Sequence, residues 1–221
     1  MNHKIALGLG LLIVLCGSGI AQTDVSLHIP EGSAPVLDGC LGLGEWTDAI
    51  DLPLGDTCTL LAKHASGFLF LGIRAQTGSQ IVGNVYVSRD SEVRILHASH
   101  ALGTATYVQA DGTWSLDRSF AWACRRLGFT DSALAERSAF LDESDWLASV
   151  VRLGPPHHME YQIAIHGEPM QMLFRFDLHG STTPILTWPI DVEIGIEPGP
   201  LPQTAGFRPH LWGLVTLDSK P

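Results

Sequence analysis

Lysine is nearly missing from this 221-residue chain. Lys4, Lys63 and Lys220 are the three present, and Lys and Arg together number 13 against 23 Asp and Glu. The net charge of −10 leaves no basic face to neutralise phosphates, which excludes nucleic acid and disfavours anionic lipid as a partner. Catalytic signatures are absent too: there is no G-x-S-x-G elbow, no H-E-x-x-H and no G-x-x-x-x-G-K-[ST]. That counts against an enzyme. No C-x-x-C is repeated, so a cysteine zinc site is excluded, and there is no C-x-x-C-H for covalent haem. Charged residues make up only 16% and apolar ones 45%, which rules out a disordered tail-like chain and leaves enough apolar surface for one core.

The first 21 residues read as an export signal. Lys4 gives a positive start, Ile5 to Leu15 is apolar but too short to span comfortably, and Gly19-Ile20-Ala21 is a small-x-small cleavage site. The expected organisation is a signal peptide over 1–21 and a single domain over 22–221, exported to the periplasm, cell surface or medium. Lipidation at Cys16 is disfavoured because Leu15 stands where lipobox cleavage wants a small residue. No later run approaches the roughly 20 apolar residues of a membrane helix, so no span is expected in the mature chain. Cleavage leaves Cys40, Cys58 and Cys124. In an oxidising compartment the pair nearest in sequence, Cys40 with Cys58, can close a loop worth about 3 kcal/mol, leaving Cys124 free; the alternative is three small buried hydrophobes.

Beyond Gln22 the apolar pattern is mainly of period two, in short runs cut by Gly, Pro and Asp. Strands are predicted at Val25 to Ile29, Thr57 to His64, Phe68 to Ala75, Ile81 to Ser88, Val93 to Ala98, Thr104 to Gln109, Glu160 to His166, Leu173 to Leu178 and Leu211 to Leu217. Short strands with tight turns such as Ala110-Asp111-Gly112 point to an all-β antiparallel sandwich of jelly-roll or immunoglobulin-like type. One helical insertion of one or two turns is expected within Asp131 to Val150, capped by Thr130 or Asp131. The stretch from Pro184 to Pro209 holds six prolines and reads as a long surface loop, where binding sites tend to sit.

Six tryptophans are the most informative residues. An exposed indole on a sandwich can stack on the apolar face of a sugar while planar polar groups hold its hydroxyls. Trp46 and Trp212 lie in apolar runs and Trp146 in the helical segment, so these three are expected in the core. Trp114, Trp122 and Trp188 lie beside turn signals or in the proline-rich stretch and are the candidate ligand-binding rings. Arg125 or Arg126 is the candidate polar partner of Trp122. A carboxylate pair drawn from Glu45, Asp48, Asp142, Glu143 and Asp145 is the hydrolytic alternative, although a solvated acidic face explains these residues better. Ten histidines raise the question of metal, but His97 and His100 would point to opposite faces of a strand, and His157-His158 follows two prolines. Asp90 and Asp111 are oxygen donors of the kind calcium takes, with no spacing that fixes a cage.

Pro35-Val36-Leu37-Asp38-Gly39 followed by Glu45-Trp46-Thr47-Asp48-Ala49 resembles the opening of family 9-type carbohydrate-binding modules. Ala65 to Ile73, Asn84 to Asp90, Glu160 to Ile165 and Trp212 to Val215 are similar to their later strands. The resemblance covers nearly the whole mature chain, and its motifs are scaffold motifs, with Asp38 and Trp46 matching as scaffold positions. It implies a β-sandwich of the DOMON-like group, which contains sugar binders and haem binders. The leading expectation is therefore an exported, non-catalytic sandwich whose partner is a polysaccharide or glycan and which needs no cofactor. The alternative is a haem or redox-cofactor domain using a histidine with Met159, Met170 or Met172 as axial ligands.

Overall fold

The computed structural model describes residues 25–76, 80–125, 130–150, 157–167, 169–181, 185–197 and 199–218. The expected signal peptide with Cys16, and Arg126, lie outside these residues. The described chain is the all-β sandwich expected from the pattern. One sheet runs in the order β2 (Ile50–Leu54), β3 (Cys58–Ala65), β4 (Phe68–Ala75), β10 (His157–Ala164), β9 (Trp146–Val150). The other runs β1 (Ser26–Ile29), β14 (Gly213–Leu217), β11 (Met170–His179), β5 (Gln80–Arg89), β6 (Glu92–Ala98), β7 (Leu102–Ala110), β8 (Thr113–Arg118), β13 (Thr204–Ala205), and β12 (Ile185–Trp188) also pairs with β11. Ladders are antiparallel except β1 with β14, which is parallel.

The two sheets enclose a core built from alternate residues of each strand: Leu69, Leu71 and Ile73 from β4, Ile81 and Val85 from β5, Phe174 and Phe176 from β11. Both sheets are also covered on their outer faces. Over β3 and β4 the loop carrying Leu37, Leu41 and Trp46 packs on Leu61, Ala65 and Phe70. Over β5, β6, β7 and β11, Phe207 and Trp212 pack on Tyr86, Val93, Ile95, Tyr107 and Leu173, with Ile194, Ile196 and Leu201 beside them. A strand covered twice needs apolar residues on both faces, and for that reason Phe68 to Ile73 reads as a continuous apolar run instead of alternating.

The cover on the first sheet explains the Pro35–Gly39 and Glu45–Ala49 motifs. Lys63, fully buried on β3, donates from Nζ to the Glu45 carbonyl and to Asp48 Oδ1, the latter at 2.9 Å, and lies 5.1 Å from the centre of the Trp46 ring. Asp48 also accepts from Ser33. Burial alone would raise its pKa, but the bonds from Lys63 and Ser33 overcome this and hold it at about 2. Glu160, fully buried on β10, accepts the Gly39 N–H at 2.7 Å.

Three expectations change. The helix α1 (Asp131–Ser144) is 14 residues, longer than one or two turns; Thr130 caps it by accepting from Ala133 N, and Asp145 ends it in the left-handed region at φ 62°. The rest of that segment, Trp146 to Val150, is strand β9, because Trp146, Leu147 and Ala148 are all buried beside β10. The Cys40–Cys58 bridge is not formed. Cys58 belongs to the core between the sheets, while Cys40 is exposed in the loop over the opposite face of the same sheet, so the sheet itself separates them. Finally, the proline-rich stretch is not a free surface loop but supplies the cover that ends in Phe207.

Candidate functional site

The outer face of the larger sheet changes character between adjacent rows. Leu173, Tyr86, Ile95 and Ala105 stand in register across β11, β5, β6 and β7. This row is buried beneath Phe207 and Trp212. Two residues along each strand, on the same face, the row becomes Arg175, Asn84, His97 and Gly103. Here the cover stops and a cleft of about 500 Å³ opens.

Gly103 seats the aromatic end of this polar row. A Cβ placed on it would lie 3.0 Å from Trp122 Cε3 and 3.1 Å from Phe120 Cδ1. Only a residue without a side chain lets both rings lie this low over the strand. The two rings are 4.9 Å apart and tilted by 32°, and His97 meets Trp122 edge-on at 5.2 Å. The backbone behind them is fixed by reciprocal bonds between Leu102 and Ala123 at 2.9 and 3.0 Å. Trp122 keeps 42% of its surface exposed and lines the cleft.

The polar groups are oriented before any ligand arrives. His97 Nδ1 bonds Asn84 Oδ1 at 2.9 Å and its Nε2 bonds Ser99 Oγ at 3.1 Å. Burial lowers the His97 pKa, against a weaker opposing pull from Asp177. The two contacts fix the ring's orientation, and which nitrogen donates is set by its tautomer. Arg175 Nε donates to Asp177 Oδ1 at 3.1 Å. Ser119 and Glu197 complete the polar lining, and Ile196, Pro200 and Leu201 form the wall from the proline-rich stretch. That wall is anchored by Tyr107, whose hydroxyl donates to the Pro202 carbonyl at 2.8 Å.

Of the three tryptophans singled out in the sequence, Trp122 lines this cleft. Trp114 is buried on β8, donating from Nε1 to the Phe207 carbonyl at 3.0 Å. Trp188 is buried on β12 and stacks on Phe174 at 5.1 Å. Neither offers the accessible ring that stacking requires: Trp114, expected at a turn, lies under Phe207, and Trp188, expected in an open proline-rich loop, packs against Phe174 on β11. Arg125 is exposed but does not line the cleft; the arginine that does is Arg175, which, with Asn84, the sequence reading missed. Its signal was the polar residue at alternate positions, Leu173-x-Arg175, Asn84-x-Tyr86 and Ile95-x-His97.

The candidate acids do not converge. Glu45 and Asp48 serve the cover loop, Asp142 and Glu143 are exposed on α1, and Asp145 lies 3.2 Å from His166. Among the described residues no group of three or more His, Cys, Asp or Glu is arranged to hold a metal ion. Met159 and Met172 are enclosed in the core, and Met170 lines a second cleft at one end of the sandwich together with His166.

No family model matches the sequence, and no curated protein matches it. The fold is similar to a solved structure from Bacteroides uniformis ATCC 8492, described as a "putative carbohydrate-binding protein", at 12% identity and a TM-score of 0.46, over 89% of this chain and 100% of that one.

Proposed function

We propose that this protein binds a carbohydrate in the cleft on the outer face of the larger sheet. The observation that carries the reading is the half-exposed Trp122 ring seated over Gly103 at the end of a pre-oriented polar row. An indole face takes the C–H face of a sugar ring, and Asn84, Arg175 and Asp177 offer the planar donors and acceptors that hydroxyls need. The reading is of binding: of the two acids that line the cleft, Asp177 is engaged by Arg175. The N-terminal signal reading supports a site of action outside the cytoplasm.

Isothermal titration of the wild type and of Trp122→Ala against a panel of soluble glycans tests the proposal. The wild type binds at least one glycan; the variant loses on the order of 1–3 kcal/mol of affinity, by analogy with aromatic stacking on nucleobases, with an unchanged melting temperature. Absence of binding across the panel by a folded wild-type protein would remove the reading, and so would equal affinity of the variant.

A further inference from the structure

The charge along the glycan cleft bears on which sugars suit it. Among the described residues that line it, Arg175 is the one permanent cation, and Asp177 and Glu197 are the acids. Arg175 and Asp177 answer each other through the bond from Nε to Oδ1 at 3.1 Å, with side chains only 11% and 25% exposed. His97 adds no steady positive charge, since burial holds it toward the neutral form. Glu197 is therefore left over. It is exposed on the proline-rich wall, and none of the ion pairs among the described residues includes it.

The whole chain carries the same sign, with 13 Lys and Arg against 23 Asp and Glu. A cleft with surplus negative charge attracts cations and repels anions. Its aromatic end has the same preference, because the face of an indole attracts an ammonium group as well as the C–H face of a sugar. The floor is also long. From Arg175 on β11 through Asn84 and His97 to Gly103 on β7 it crosses three strand spacings, about 14 Å. That exceeds one pyranose ring, so linked sugars can reach both Trp122 over Gly103 and the acids of the other end and wall.

We infer that the ligand of this cleft is an oligosaccharide of amino sugars whose amino groups are free and protonated, as in a glucosamine polymer. The inference rests on the carbohydrate reading above and names the class of sugar. An N-acetylated chain keeps the stacking surface but loses the charge, and a uronic acid chain brings a charge of the wrong sign.

Tetramers of glucosamine, N-acetylglucosamine and galacturonate are titrated calorimetrically into the wild type at pH 6 and low salt. The glucosamine tetramer binds about tenfold more tightly than its N-acetylated form, and the galacturonate tetramer binds most weakly. Added sodium chloride narrows the gap between the first two. Glu197→Gln reduces their ratio about threefold, a modest change because an exposed ion pair is worth little. Trp122→Ala weakens the glucosamine tetramer as well, which separates binding in the cleft from loose attraction of a polycation to an acidic surface. Equal affinities for the glucosamine and N-acetylglucosamine tetramers, a ratio unmoved by Glu197→Gln, or undiminished glucosamine binding by Trp122→Ala would each overturn the inference. Binding of a neutral glycan with none of the glucosamine tetramer would overturn it and leave the carbohydrate reading standing, whereas no binding of any glycan would end both.

Discussion

Glu160 gives the protein a pH-dependent stability whose sign and size follow from the structure. Its carboxyl is fully buried, accepts the Gly39 N–H, and lies beside the Trp46 indole, whose N–H has no partner in hydrogen-bonding geometry. Burial pushes its pKa up from 4.5 to about 8, with Asp38 and Glu45 acting in the same direction and the Gly39 bond opposing. Between these two values the folded protein holds a proton that the unfolded chain has released. Its contribution to stability is therefore fully present below pH 4.5 and is lost as pH rises toward 8, by about 1.4 kcal/mol per pH unit, on the order of 5 kcal/mol across the interval. Glu160→Gln keeps an oxygen for Gly39 and cannot ionise. Buried His97 and His158, whose pKa values are lowered chiefly by burial, act in the opposite direction in both proteins, so the informative quantity is the difference between variant and wild type. Urea unfolding at pH 5, 6, 7 and 8 measures it: the variant gains on the wild type at each step toward pH 8. Parallel curves for the two proteins would refute the argument.

Other predictions concern the cover, the thiols and the aromatic seat. Lys63→Met keeps the packing on Trp46 but loses the bonds to Asp48 and the Glu45 carbonyl, and costs on the order of 1–3 kcal/mol in urea unfolding at pH 7. Asp48, held at about 2 largely by that lysine, contributes stability above its unfolded value near 3.8 that is lost as pH falls toward 2; the acid-unfolding midpoint of Lys63→Met accordingly moves up. Because Cys40 and Cys58 are not bridged, adding dithiothreitol leaves the melting temperature unchanged, and a drop of several degrees would show a bond. Gly103→Val suits a strand yet drives a methyl into Trp122 and Phe120, so it weakens glycan binding about tenfold in titration with little change in melting temperature; unaltered affinity would show that the seat does not position the ring.

The sequence carries the inner face of this fold better than the outer one. Ile81, Val85 and the alternate residues of Phe68–Ala75 signal strands because the space between the sheets imposes period two. Ile50–Leu54 was missed because Pro53 interrupts it, and an edge position tolerates that proline. Ile185–Trp188 was absorbed into the proline-rich reading for want of length. The site was legible only in part. Trp122, Trp114 and Trp188 all stood out by turn signals or the proline-rich stretch, and what separates them is a tertiary event: Phe207 folds back to accept from Trp114, while Phe174 stacks on Trp188. Arg175 was hidden between the core residues Phe174 and Phe176, since nothing local says which face of β11 remains open.

The open end of that face has a physical cause in the same residues proposed to bind. Along β5, β6 and β11 the outer positions are apolar at Tyr86, Ile95 and Leu173, and there the proline-rich stretch closes down through Phe207. Extending the cover by one row would bury Asn84, His97, Arg175 and Asp177 under Ile196, Pro200 and Leu201. Those side chains satisfy part of their bonding among themselves, but removing the remaining capacity from water without new partners is unfavourable for each group, and most so for the ions. The polar row thus holds the cover off and keeps its own surface solvated. Gly103, by contributing no side chain, lets Trp122 and Phe120 fill the end of the row where a fourth polar residue would otherwise stand. A ligand that can replace the lost water with hydroxyls on one side and present C–H groups to the indole on the other meets both demands at once, which is the chemistry of a sugar ring.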